Sequence, residues 1–196
     1  MTDPRDDELD DFLRETMEAG MQPNELGAIA ASLPPLSPSR GLRGRLMQST
    51  ASGRLARFAV RVAALLDLGA AEAAALLDAV DRPSSWGPGP GPGIALFHVA
   101  GGPAVRGAIA GFVRIERGQA FPSHRHLGPE AVLVVQGAFR DEASGAVVRA
   151  GDVARMPAGS EHALAVVPGP ALVYLAVVAD GVDIGGLVLR PDDGRL

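Results

Sequence analysis

Cysteine is absent from the 196 residues. Disulfides, cysteine-based zinc sites, thiol catalysis and iron–sulfur clusters are therefore excluded. Lysine is absent as well, so all 18 basic residues are arginine, against 23 acids and a formal net charge of −5. Phosphate binding needs a basic surface, and nucleic acid is not an expected partner of such a chain. Long apolar runs are missing too. The longest, 171–179, is about nine residues, half of the roughly 18 that a membrane span requires. The N-terminus is acidic where a secretion signal is basic, and no apolar stretch follows it. These absences predict a cytoplasmic protein with no membrane association. What remains is 47% hydrophobic, enough to bury a sizeable core.

The organisation changes near residue 90. Nine of the 23 acids fall within 3–25. There Leu9, Phe12, Leu13 and Met17 recur at helical spacing. Asn24 reads as the cap of a second, short helix, the prolines of 33–39 as a stiff extended linker, and Ser39 as the start of a third helix. Two stronger helices follow. Arg54–Leu66 carries an apolar stripe through Leu55, Phe58, Val62 and Leu66, and Ala70–Val80 continues after a break at Asp67-Leu-Gly69. Together they read as a helical hairpin packed on what comes next. Asp81–Gly93 holds four prolines and four glycines, a composition that predicts no regular element. The expected organisation is a helical region over 1–82, a linker over 83–93 with Trp86 anchored on an apolar surface, and a β domain over 94–196.

After residue 93 the apolar period becomes two. Short Val-, Ile- and Leu-rich runs recur about every ten residues between turn signals, the last over Val182–Leu189. That pattern predicts an all-β sandwich or barrel. His124 and His126 are one residue apart, so on a strand their imidazoles share a face and Arg125 takes the other. Glu130 starts a strand whose alternate positions, Val132 and Val134, can share its inward face. Met156-Pro-Ala-Gly159 makes a sharp turn that delivers His162. Three imidazoles and one carboxylate form a donor set for a borderline divalent metal. His98 belongs to no such pattern and reads as a core or edge residue. Glu161 should face away from His162. Arg114 and Arg125 read as surface residues, and Phe112, Phe121 and Tyr174 as core.

The spacing Gly118-x5-His124-x-His126-x3-Glu130-x6-Gly137, followed by Gly151-x5-Pro157-x-Gly159-x2-His162, resembles the two motifs of the cupins. The resemblance implies a double-stranded β-helix (jelly-roll) barrel preceded by a small helical region. It also implies one divalent ion on His124, His126, Glu130 and His162, zinc first, with iron, manganese or nickel as alternatives. The longer stretches His126–Gly137, Phe139–Asp141 and Pro157–His162 are especially similar to the ChrR-type regulators, which pair an anti-sigma domain with a metal-binding cupin. That family's N-terminal zinc pattern, His-x3-Cys-x2-Cys, is absent, because the chain has no cysteine and no histidine before His98. Val166 stands where many cupins carry asparagine. The resemblance implies a regulatory or sensing module answering a small molecule or oxidant, with a sigma factor as protein partner and a homodimer as assembly. The alternative it leaves is a dioxygenase-type enzyme acting on a small molecule. Because imidazoles bind metal when neutral, affinity is expected to fall as pH drops through about 6.5.

Overall fold

The computed structural model describes residues 27–28, 31–34, 39, 41–42 and 53–193. The chain forms two compact units, Met1–Leu46 and Met47–Leu196. Of the first, Gly27, Ala28, Ala31, Ser32 and Leu42 are helical. The helices expected around Leu9–Met17 and from Ser39 lie outside the described residues, save Ser39 itself and 41–42.

The second unit begins with the helical hairpin. A 3₁₀ turn, Ala56–Phe58, leads into α1 (Ala59–Leu66). Asp67 ends α1 in the left-handed conformation (φ 54°), and its carboxylate accepts the Ala104 N–H at 2.8 Å, tying the helix end to a later loop. Glu72 accepts the Gly69 N–H at 2.8 Å and so caps α2 (Ala70–Ala79).

Twelve strands follow. β1 (Gly87–Pro88), β2 (Ile94–His98), β3 (Ala108–Ile115), β10 (Leu172–Ala179), β5 (Glu130–Gln136) and β8 (Val153–Met156) form one six-stranded sheet in that order. The second sheet runs β12 (Leu187–Leu189), β11 (Val182–Ile184), β4 (Ala120–His126), β9 (Glu161–Val166), β6 (Ala138–Asp141) and β7 (Val147–Arg149). Every pairing is antiparallel. The mainly β jelly-roll expected from the sequence is the fold observed.

Two expectations need correction. The Gly/Pro stretch is not devoid of regular structure. Gly87 and Pro88 pair with Leu96 and Ala95, which proline permits because this is an edge strand with no second partner to supply. The run Val182–Leu189 is two strands, since Gly185 and Gly186 take positive φ (61° and 90°) and reverse the chain into a hairpin.

Each face of the first sheet has its own core. Along β10, Leu172, Tyr174, Ala176 and Val178 face the second sheet, where they join Phe121, Phe139 and Leu164. Val173 and Leu175 face the other way and pack with Phe112, Leu133, Val62, Leu66 and Leu77. Burial on both faces explains why β10 reads as an unbroken apolar run. The helices are thus the cover of the sheet's outer face, and the stretch 83–93 lies inside the second compact unit. Trp86 packs against the same core and donates to the Val80 carbonyl at 2.9 Å.

A fragment starting at residue 94 bares Phe112, Leu133 and Leu175, so we expect it to aggregate where a fragment starting at 53 stays soluble. Within the intact chain, Leu66→Ala, at a fully buried position, should lower unfolding free energy by about 3 kcal/mol in urea titrations.

Candidate metal centre

The four singled-out side chains meet between the sheets. His124 sits directly opposite His162 across the β4–β9 pairing, and Arg125 opposite Glu161. Strand alternation therefore buries His124, His126 and His162 while Arg125 and Glu161 stay exposed. From the other sheet, Glu130 stands opposite both Met156 and Val178 and is buried beside them.

The turns are built to hold this arrangement. Gly159 has φ +77° and donates its N–H to the His126 carbonyl at 2.8 Å, while His126 N–H donates to the Ser160 carbonyl at 2.9 Å. The turn ahead of His162 is thereby stitched to the end of the strand carrying His126. Gly137 closes the strand that starts with Glu130. Its φ is +72° and a Cβ there would come 3.0 Å from the Ala171 carbonyl oxygen, so glycine is required twice over.

One ligand atom from each of the four residues lies within 4.8 Å of all the others. His162 Nε2 is 3.1 Å from His124 Nε2, and His126 Nε2 is 3.2 Å from the nearer Glu130 carboxylate oxygen. The other ring nitrogens point outward and are each occupied. His124 Nδ1 donates to the Pro122 carbonyl at 3.0 Å. His126 Nδ1 lies 3.1 Å from Ser160 Oγ. That hydroxyl spends its own proton on the Pro157 carbonyl at 2.6 Å, so it is the acceptor. His162 Nδ1 donates to the Asp141 carboxylate. With Nδ1 protonated in all three rings, three Nε2 lone pairs face one another. His126 Nε2 is buried without any hydrogen-bond partner, because its contact with Glu130 lacks hydrogen-bond geometry.

Such a nest of acceptors is unfavourable unless a cation fills it. Donors bound to one ion at about 2.1 Å sit roughly 3.0–3.4 Å apart when adjacent, and the two distances above fall in that interval. The donor set therefore fits a divalent metal ion.

The electrostatics agree. Burial, then the neighbouring His124 and His162, lowers the His126 pKa to about 4. Burial also lowers that of His124, against the opposing Pro122 hydrogen bond. Burial raises the Glu130 pKa to about 8. Asp141 would be raised by burial, but hydrogen bonds from His162 and Ser144 outweigh this and hold it below its ordinary value. At neutral pH the His124 and His126 rings are uncharged lone-pair donors, and the Asp141 carboxylate is fixed as acceptor.

Pro122, Asp141 and Ser160 were not among the expected site residues. Asp141 accepts the Ser144 N–H at 2.7 Å, so in sequence it resembles any aspartate opening a turn. Its reach to His162 appears only when β6 pairs with β9. Of the remaining candidates, Arg114 is paired with Glu116 at 3.0 Å, half-exposed, and Phe112 and Phe121 are core as expected. Exposed His98 and buried Tyr174 line an apolar cavity that also touches His124 and Glu130.

Known proteins place this geometry in context. The ChrR Cupin-like domain matches residues 79–179, just over half of the chain. An acetylacetone dioxygenase from Acinetobacter johnsonii has a similar structure, with TM-score 0.50 and 14% identity over 58% of this chain and 85% of that one. That likeness is one of fold. The Rhodobacter sphaeroides SigE–anti-sigma ChrR complex matches at 27% identity over 78% of this chain and 73% of that one, with TM-score 0.47. An RmlC-like cupin from Ralstonia eutropha JMP134 matches at 23% identity over 56% and 76%, with TM-score 0.49. No curated protein matches the chain. The family match over 79–179, on a jelly roll whose two motifs converge on one buried point, makes this chain a member of the ChrR cupin-like family.

Proposed function

We propose that the protein is a cytoplasmic, ChrR-like regulatory module in which one divalent ion, zinc first, is held by His124, His126, Glu130 and His162 and answers a small molecule or oxidant. The observation that carries this reading is the division of the chain. A cupin of the ChrR family occupies the second unit, and a separate unit, Met1–Leu46, holds the acid-rich 3–25 segment. The first unit is the part that a protein partner would recognise, a sigma factor being the first candidate, and it must do so without cysteine zinc ligation. A homodimer is the proposed assembly.

The chain's residues supply three things to the ion. The outward hydrogen bonds fix each ring's tautomer and aim, which is how such contacts raise affinity at metal sites. Glu130 contributes the negative charge. The surrounding wall is mostly apolar and buries all four donors.

The test of the regulatory reading is affinity capture with the full chain, metal-loaded and chelator-stripped. Recovery of a sigma factor whose retention changes with metal supports it. Retention of no protein in either state defeats it and favours the dioxygenase-type alternative, whose own measure is oxygen uptake by iron-loaded protein across a substrate panel.

Metal content should be about one ion per chain by elemental analysis, and close to none in the double variant His124→Ala/His126→Ala. The pH dependence differs from the one expected from unperturbed histidine. His126 is already neutral above about pH 4, whereas Glu130 keeps its proton up to about pH 8. Each ion bound at pH 7 should therefore displace about one proton, and affinity should begin to fall as pH drops below 8, by about tenfold per unit. Calorimetry in buffers of different ionisation enthalpy measures that proton. Without metal the signs are opposite for the two groups. The raised Glu130 pKa makes its share of stability fade as pH rises from 4.5 through 8, and the lowered His126 pKa makes its share fade as pH falls from 6.5 towards 4.

Asp141→Asn removes the charge that fixes His162. Nitrogen-15 NMR of the metal-free protein should show His162 passing from the Nδ1-protonated tautomer to a mixture, and metal affinity should fall about 10- to 100-fold.

A further inference from the structure

We propose that the cavity beside the four-donor cluster binds a small, neutral, largely apolar molecule bearing one oxygen acceptor, and that the Tyr174 hydroxyl selects it by donating a hydrogen bond to that oxygen. This names the ligand class for the small-molecule response proposed above and rests on that reading.

The cavity has about 90 Å³ of room, which admits only a small molecule. It lies between the sheets, walled by Leu96, Ile109 and Val113 on one side and Phe121, Ile184 and Leu189 on the other. Of its 16 lining residues, only His98, His124, Glu130 and Tyr174 have polar side chains. Two of these belong to the donor cluster, and His98 is exposed at the end of β2. No arginine lines the cavity, so without the proposed ion the wall offers an anionic molecule no fixed counter-charge. A polyhydroxylated molecule would bury hydroxyls without partners. A mostly apolar molecule with one oxygen loses nothing on either count.

Tyr174 supplies the partner for that oxygen. It is 4% exposed, and its hydroxyl makes no hydrogen bond to a described residue, the His126 ring nitrogen being the one buried side-chain atom sealed off without a partner. The phenol therefore opens onto the cavity. Its ring is steadied by Phe139, with centroids 6.2 Å apart, so the donor is presented in a fixed place. Burial, and then the nearby Glu130 charge, raises its pKa, which keeps the proton on the oxygen. The strand that carries it sets it between Leu172 and Ala176 on the inward face, so the hydroxyl is the one polar group that β10 offers the cavity. Reading Tyr174 as core alone misses this.

The test uses the full chain and three probes of one size, cyclopentanone, cyclopentane and cyclopentanecarboxylate, titrated by saturation-transfer NMR. Each is measured on metal-loaded and on chelator-stripped protein, with metal content determined in parallel. On the chelator-stripped protein, cyclopentanone should bind at least tenfold more tightly than the carboxylate. Tyr174→Phe should weaken cyclopentanone about tenfold while leaving cyclopentane within twofold. Ile184→Trp, at a half-buried wall position, should exclude all three. Equal or tighter binding of the carboxylate by the chelator-stripped protein, unchanged cyclopentanone affinity in Tyr174→Phe, or no binding of any probe overturns the inference. If the protein takes up no metal while the ketone preference and its dependence on Tyr174 persist, the metal reading fails and this inference stands. Metal uptake without a ketone preference overturns the inference alone.

Discussion

Three imidazoles with their Nε2 atoms turned towards one another beside a carboxylate form an arrangement that protein alone does not favour. Water could bond to those nitrogens, but His124, His126 and His162 are all buried. What prevents the rings from flipping to relieve the crowding is the set of hydrogen bonds behind them, to the Pro122 carbonyl, Ser160 Oγ and Asp141. Each consumes the Nδ1 proton and leaves Nε2 bare. The interior is thus suited to a cation by contacts that do not touch the position a cation would take. Glu130 adds to this, since its burial favours the protonated acid in the absence of a positive charge. Ring aim and carboxylate charge therefore depend on different parts of the fold, the turns of one sheet and the burial supplied by the other.

That dependence explains the architecture around the site. The first sheet is covered inside by the second sheet and outside by α1 and α2. β10 takes part in both cores, with Tyr174 inward and Val173 and Leu175 outward. Because interiors are close-packed, any displacement of this strand must be accommodated on both faces at once. The cavity wall and the helical cover are for that reason mechanically one body.

The donors were legible in the sequence because they obey local rules. His124 and His126 converge through a period of two, and Glu130 and His162 follow turns whose glycines announce themselves. The hydrogen bonds behind the rings were not legible, because Asp141 and Ser160 meet their histidines only through pairing between distant strands. Composition misled at 83–93 for a related reason. Proline and glycine report that the backbone is irregular, and an irregular backbone can still cross a core surface, as Trp86 does beside Phe97. The helical hairpin was recognisable from its stripe, and so was its need for a partner surface. The paired glycines at 185–186 carried a turn signal inside an otherwise continuous apolar run.

The lack of cysteine narrows how such a protein can respond to an oxidant. Reversible disulfide and sulfenic acid chemistry is excluded, which leaves a bound ion, its ligands, a molecule in the cavity or one of the five methionines as the target of a redox signal. The first three would alter the same few contacts. A change at the cluster alters the charge on Glu130, and Glu130 also borders the cavity with Tyr174. A molecule entering the cavity meets Tyr174, whose strand neighbours are set in the helical core. β5 and β10, which stand side by side in the sheet order, each contribute to the cavity wall and to the helical core. A change between the sheets would have to pass through these two strands to reach the helices.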